Sequence, residues 1–94
     1  MQAKMDTYRA KGDATFDAPC KVTIEGDAIT IAYEDDGQTW YYKGKAKGLG
    51  HYELRAEHFQ GRATLHAFED SRILEGSWIE EDRRGMWRIV CQAD

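Results

Sequence analysis

Two dipeptides, Gly26-Asp27 and Asp36-Gly37, interrupt runs in which apolar and polar residues alternate. No other feature constrains the chain as strongly. A two-residue loop carrying Gly is the tightest connection between antiparallel strands, and it sets their register. Gly26-Asp27 aligns Glu25 with Ala28, Ile24 with Ile29, Val22 with Ile31 and Cys20 with Tyr33. Asp36-Gly37 aligns Asp35 with Gln38, Tyr33 with Trp40 and Ile31 with Tyr42. Both registers gather the apolar residues on one face. A slip of one residue would turn that face to solvent, so turn chemistry and hydrophobic pattern support each other.

The same alternation continues to the C-terminal end, and no segment keeps a helical period. A loop at Ala46-Lys47-Gly48 is expected to set Tyr42 against Tyr52 and Trp40 against Leu54. A loop at His58 to Gly61 sets Leu54 against Leu65. A turn at Asp70-Ser71 sets Ala67 against Leu74 and Ala63 against Trp78. A turn from Glu81 to Arg84 sets Trp78 against Trp87. The expected strands are Thr7–Gly12, Cys20–Glu25, Ala28–Glu34, Gln38–Lys45, Leu49–Glu57, Arg62–Phe68, Arg72–Glu80 and Gly85–Cys91.

Each hairpin joins neighbours, and closure would remove the exposed edges of the sheet. The expected fold is therefore all-β: a single eight-stranded antiparallel up-and-down meander barrel, with residues 1–94 as one domain. A flattened sandwich of two four-stranded sheets is the alternative.

An eight-stranded barrel is just wide enough to be filled by side chains or to hold one small ligand. The registers send Tyr33, Trp40, Tyr42, Tyr52, Trp78 and Trp87 inward, Tyr8 and Ala10 with them, and no formal charge. Two readings follow. The rings line an apolar pocket in which Tyr hydroxyls orient a small apolar or aromatic molecule, or they fill the barrel. Strand number, meander order and aromatic interior resemble the calycin type of barrel, the lipocalin-like and streptavidin-like folds. Gly76-Ser77-Trp78 and Gly85-Met86-Trp87 both read G-x-W, a tripeptide that lipocalin-like proteins carry on the first strand. The resemblance implies a barrel architecture and carries over no ligand-contacting residue. The stretch Ile73–Val90 also resembles segments of small bacterial proteins.

The outward residues raise two further expectations. Glu53, His66 and Glu75 should align across three adjacent strands. That is a candidate metal or acid–base group, or else a solvated ladder of opposite charges; the ladder is the reading adopted, with no metal. Phe68, Ile73, Ile79, Met86 and Val90 face out on the last three strands. Phe68 should lie opposite Ile73, and Ile79 opposite Met86. An apolar cluster of this kind marks an interface, here of a homodimer.

The net charge of -4 argues against a nucleic-acid partner. No apolar run approaches the roughly 18 residues of a membrane span. The N-terminal residues lack the apolar core of a signal peptide, and a cytoplasmic location is expected. No phosphate-binding loop or Ser/His/carboxylate arrangement is present, and no cofactor is implied. The leading expectation is a non-enzymatic barrel that binds a small apolar molecule. The alternative is a homodimeric interaction module with a filled core. Finally, Cys20 and Cys91 are expected at opposite rims, roughly 17–20 Å apart, as free thiols.

Overall fold

The computed structural model describes residues 1–92. It is a closed barrel of eight antiparallel strands, each hydrogen-bonded to its neighbours in chain order. The strands are β1 (Gln2–Arg9), β2 (Thr15–Glu25), β3 (Ala28–Asp35), β4 (Gln38–Ala46), β5 (His51–Ala56), β6 (Gly61–His66), β7 (Ile73–Glu80) and β8 (Arg83–Cys91). The β1–β8 ladder, from Ala3 opposite Cys91 to Arg9 opposite Gly85, closes the ring. The sheet is a barrel and not a sandwich.

The two tight hairpins take the registers their turns dictate. Glu25 lies opposite Ala28 and Cys20 opposite Tyr33. Asp35 lies opposite Gln38 and Ile31 opposite Tyr42. In β6–β7, Ala63 lies opposite Trp78, also as expected. Three other details differ. The β4–β5 connection spans residues 47–50, so Ala46 meets Tyr52 and Tyr42 meets Ala56. Two glycines set this longer loop, Gly48 at φ 142° and Gly50 at φ 70°, backbone states that suit Gly. The β5–β6 ladder puts Leu54 opposite Ala63, not Leu65. The β7–β8 turn is the two-residue Glu81-Asp82, with Glu81 at φ 54°. Trp78 therefore faces Gly85, Gly76 faces Trp87, and Ile79 faces Arg84 instead of Met86.

Each of these slips is an even number of residues. Side chains alternate with period two, so an even slip changes partners but keeps the face. The core therefore survives the changes. Val22, Ile29, Ile31, Tyr42, Leu54, Leu65, Leu74, Trp78, Trp87 and Ile89 are all buried.

β1 is a different matter. Its inward residues are Ala3, Met5 and Thr7, the first two buried and Thr7 opposite Trp87. Tyr8, expected inside, points out and is 40% exposed. The strand begins at Gln2, and β2 begins at Thr15, well before Cys20. An irregularity separates the Met5–Ala18 and Thr7–Thr15 pairs. There Asp17 sits at φ 56°, and its N–H donates to Asp6 Oδ1 at 2.9 Å. A bulge adds an unpaired residue and changes the face that follows it. Turn signals gave no anchor for this hairpin.

The same shift corrects the cysteines. Ala3 is opposite both Cys20 and Cys91. The thiols therefore flank one strand at the same level and do not lie at opposite rims. Two inter-strand steps make about 9–10 Å between their Cα atoms, beyond the roughly 7 Å that a disulfide tolerates. Both are free and buried. Burial pushes the Cys20 thiol up to about 11, helped by the neighbouring Cys91. Burial also raises the Cys91 thiol. Because the thiolate is the reactive form, alkylation at pH 8 should be slow in the folded protein. It should become fast for both cysteines on denaturation without reductant. Rapid labelling of the native protein would contradict this packing.

Candidate functional site: the aromatic mouth of the barrel

The hairpin loops of β1–β2, β3–β4, β5–β6 and β7–β8 all close at one end of the barrel, since successive strands alternate direction. This end opens as a depression of about 900 Å³ whose lining includes Met5, Thr7, Tyr33, Trp78, Glu80 and Trp87. The rings beneath it form one cluster. Tyr42 meets Trp87 edge-on with centroids 5.0 Å apart, and Tyr33 meets Trp87 at 6.0 Å. Trp78 and Trp87 lie 6.2 Å apart at 33°. Such edge and offset contacts place the positive ring edge on a negative face.

Four of the six interior residues picked from sequence thus come together: Tyr33, Tyr42, Trp78 and Trp87. Trp40 joins them from the rim, through Phe59, which packs edge-on against both Trp40 at 5.4 Å and Tyr42 at 5.7 Å. Trp40 Nε1 donates to the Asp35 carbonyl at 3.4 Å. Tyr52 is not among them. It lies opposite Ala46 and Leu65, at the other end of the barrel. Phe59 looks like a loop-tip residue in the sequence, yet it is half-buried against the core.

Close ring packing needs room, and glycine supplies it. A Cβ on Gly85 would fall 1.9 Å from the Tyr8 carbonyl oxygen and 2.6 Å from Trp78 Cζ2. A Cβ on Gly61 would fall 2.7 Å from the Tyr42 hydroxyl. Gly85→Ala should therefore displace Trp78 and cost about 1–3 kcal/mol. Chemical denaturation with tryptophan fluorescence checks this; an unchanged midpoint and spectrum would show that Trp78 does not depend on Gly85.

One charge enters the interior, against the expectation of none. Glu80 follows inward-facing Trp78 by two residues, and its side chain is only 14% exposed. The Tyr42 hydroxyl donates to Glu80 Oε2 at 2.5 Å. Arg83 Nη2 stands 3.6 Å from Glu80 Oε1. Period two places Glu80 on the inward face at the end of the expected strand Arg72–Glu80, although the inward residues expected from the sequence stop at Trp78. Close by, Trp78 Nε1 is buried and has no hydrogen-bond partner. A buried donor left unpaired costs about 1–3 kcal/mol.

Burial holds the Tyr42 hydroxyl far above the usual phenol range, and its hydrogen bond to Glu80 adds to the effect. Burial likewise raises Tyr33, with the charges of Glu80 and Asp35 acting in the same sense and Arg83 against it. Both stay neutral donors at physiological pH. Tyr42 is completely buried, so its role is to hold Glu80. The surface that a ligand would meet offers the Glu80 carboxylate as an acceptor and the Tyr33 ring, while the indole N–H of Trp78 lies buried just beneath it.

The raised phenols also set a pH dependence. The folded state disfavours their ionisation, so this stability is fully present below about pH 10 and is lost as pH rises further. Tyrosinate absorbance should show a late step that coincides with loss of the barrel's circular dichroism. The Tyr33→Phe/Tyr42→Phe variant should lack that step. Ionisation of all five tyrosines before unfolding would exclude the buried placement.

The outward candidates are arranged differently from expectation. His66 does lie opposite Glu75, but its other neighbour is His51, not Glu53. His51 Nδ1 and His66 Nε2 are 2.7 Å apart, and His51 Nε2 is 3.4 Å from Glu53. Among the described residues no group of three potential metal ligands forms. The five apolar residues fall in different rows of the last three strands. Phe68 lies beyond the end of β6 and is 90% exposed. Ile73 faces Val90, while the Glu75–Arg88 pair separates them from Met86 opposite Ser77. Ile79 lies beyond, opposite Arg84. Met86 instead neighbours Tyr8, which stacks edge-on with Phe16 at 5.8 Å.

No protein-family model matches the chain, and no curated protein has a matching sequence.

Proposed function

We propose that the barrel mouth binds a small flat apolar or aromatic molecule that carries a hydrogen-bond acceptor, and that it does so without chemical turnover. The observation that supports this most directly is the unpartnered Nε1 of Trp78. It lies in a residue that lines the mouth, two positions from a carboxylate held in place by Tyr42. An apolar floor with a few converging polar groups is the usual make-up of a small-molecule site. A ligand carbonyl or ring nitrogen that entered below the level of the mouth would satisfy the buried indole N–H. A ligand N–H or O–H would meet Glu80. The rings of Trp78, Trp87 and Tyr33 would supply the contact area. The reading is calycin-like in kind, with the ligand held at the open end above a filled core.

Benzamide and indole serve as probes, since the first carries both an acceptor and a donor and the second only a donor. Benzamide is expected to quench tryptophan fluorescence saturably and more tightly than indole. Trp78→Phe keeps a ring but removes the donor. It should weaken benzamide binding by roughly 5–10-fold, the worth of one neutral hydrogen bond. The same variant should make the empty barrel more stable, because the orphaned donor is gone. Loss of stability together with unchanged binding would sink the proposal.

A further inference from the structure

The outer face of the barrel carries a row of like charges. Lys43 on β4 lies directly opposite Arg55 on β5, and Arg55 lies directly opposite Arg62 on β6. All three are exposed. Like charges directly opposite each other across strands are destabilising. Sheets usually relieve the repulsion with carboxylates in the same row. Here the next residue in the row is Ile79, followed by Arg84. Lys43 does have a partner, Glu57 Oε1 at 3.2 Å. Arg55 and Arg62 make no ion pair among the described residues.

The row borders a depression of about 590 Å³ on this outer face. Leu54 and Ala63 point inward, so backbone forms its floor. Lys45 and Lys47 add two more cations to its lining, and Thr64 and Ser77 add hydroxyls. The single carboxylate in the lining is Glu53, which lies opposite Lys45 and contacts His51 at 3.4 Å. Five cations and one carboxylate thus surround a concavity on a chain whose net charge is -4. The positive charge is segregated, and its repulsion is left for something else to relieve.

We infer that this face binds a polyphosphate-bearing anion across β4, β5 and β6. Adjacent strands are about 4.8 Å apart, so the three cations of the row span roughly 10 Å. That length suits a chain of linked phosphates better than a single carboxylate. The planar fork of arginine pairs with phosphate oxygens in a bidentate way. Two of the three cations in the row are arginines, and Lys43 at its edge acts as a point charge. Tyr41 is exposed beside Lys43, whose Nζ is 5.9 Å from the ring centroid. A nucleoside base attached to the phosphates would have that ring to stack on.

The site is separate from the aromatic mouth and stands or falls alone. Its test is calorimetric titration at low salt with inorganic tripolyphosphate and with ATP. The Arg55→Gln/Arg62→Gln variant should bind both at least about tenfold more weakly. The control, Lys4→Gln/Lys21→Gln, removes the same charge from the outer faces of β1 and β2 and should bind like the parent. Tyr41→Ala then distinguishes the two sources of phosphate: a loss confined to ATP assigns the site to a nucleotide, and no loss assigns it to inorganic polyphosphate. Melting gives a second reading. Removing the two arginines should raise the melting temperature of the free protein, and tripolyphosphate should raise that of the parent but not of the variant. Equal weakening in the control, no binding of either anion, or a lower melting temperature in the arginine variant would overturn the inference.

Discussion

The interior of this barrel depends on a steric exchange between large rings and missing side chains. An eight-stranded barrel encloses a narrow space, and three indole or phenol rings cannot enter it unless neighbouring positions give way. Trp78 lies over Gly85, and Trp87 lies across from Gly76. Tyr42 reaches to the backbone of Gly61. A side chain on Gly76 would run into the Thr64 carbonyl at 1.7 Å, so that position also lets β6 and β7 coil closely. The rings then support one another edge to face, and they fill the core to the level of the mouth. Glu80 can enter the wall only because Tyr42, anchored below it, meets it with a hydroxyl.

Inside and outside thus follow opposite electrostatic rules. The interior tolerates one carboxylate, held by a phenol and faced by Arg83 at the rim. The exterior tolerates cations in direct opposition because water and salt screen them. Each is a place where a polar group is incompletely matched, the indole N–H of Trp78 within and the guanidinium pair of Arg55 and Arg62 without. In a chain this short, most other polar groups are either exposed or paired in the ladders. These two positions are the ones on which the proposed binding sites rest.

Strands β2, β3 and β4 were readable from the sequence because a two-residue turn and an alternating pattern carry the same information twice. Ile24 opposite Ile29 satisfies both at once. Where only the pattern spoke, as in β4–β5, the partner of Tyr42 was misplaced but its face was not, since the error was an even number of residues. Where a bulge intervened, at Phe16 and Asp17, both were lost, and Tyr8 was placed inside although it lies on the surface. The candidate site was half legible for the same reason. Trp78 and Trp87 were visible as inward rings. Glu80 was hidden because a charged residue next to a turn reads as solvent-exposed, and the orphaned indole nitrogen has no signature in sequence at all.

The position of β1 has a consequence for how the chain reaches this state. Every other ladder joins strands adjacent in the chain, and such hairpins form in about 1–10 μs. The ladder from Ala3 to Cys91 joins residues 88 apart (91 − 3). Its loop-closure entropy is repaid only after the other seven strands have curled far enough to bring β8 round to β1. Until that moment β8 presents a bare edge. Were the β1–β2 hairpin to part from β8, that edge would be bare again. The seam that completes the barrel is therefore the one place where its protection against edge-to-edge pairing rests on the longest-range contact in the fold.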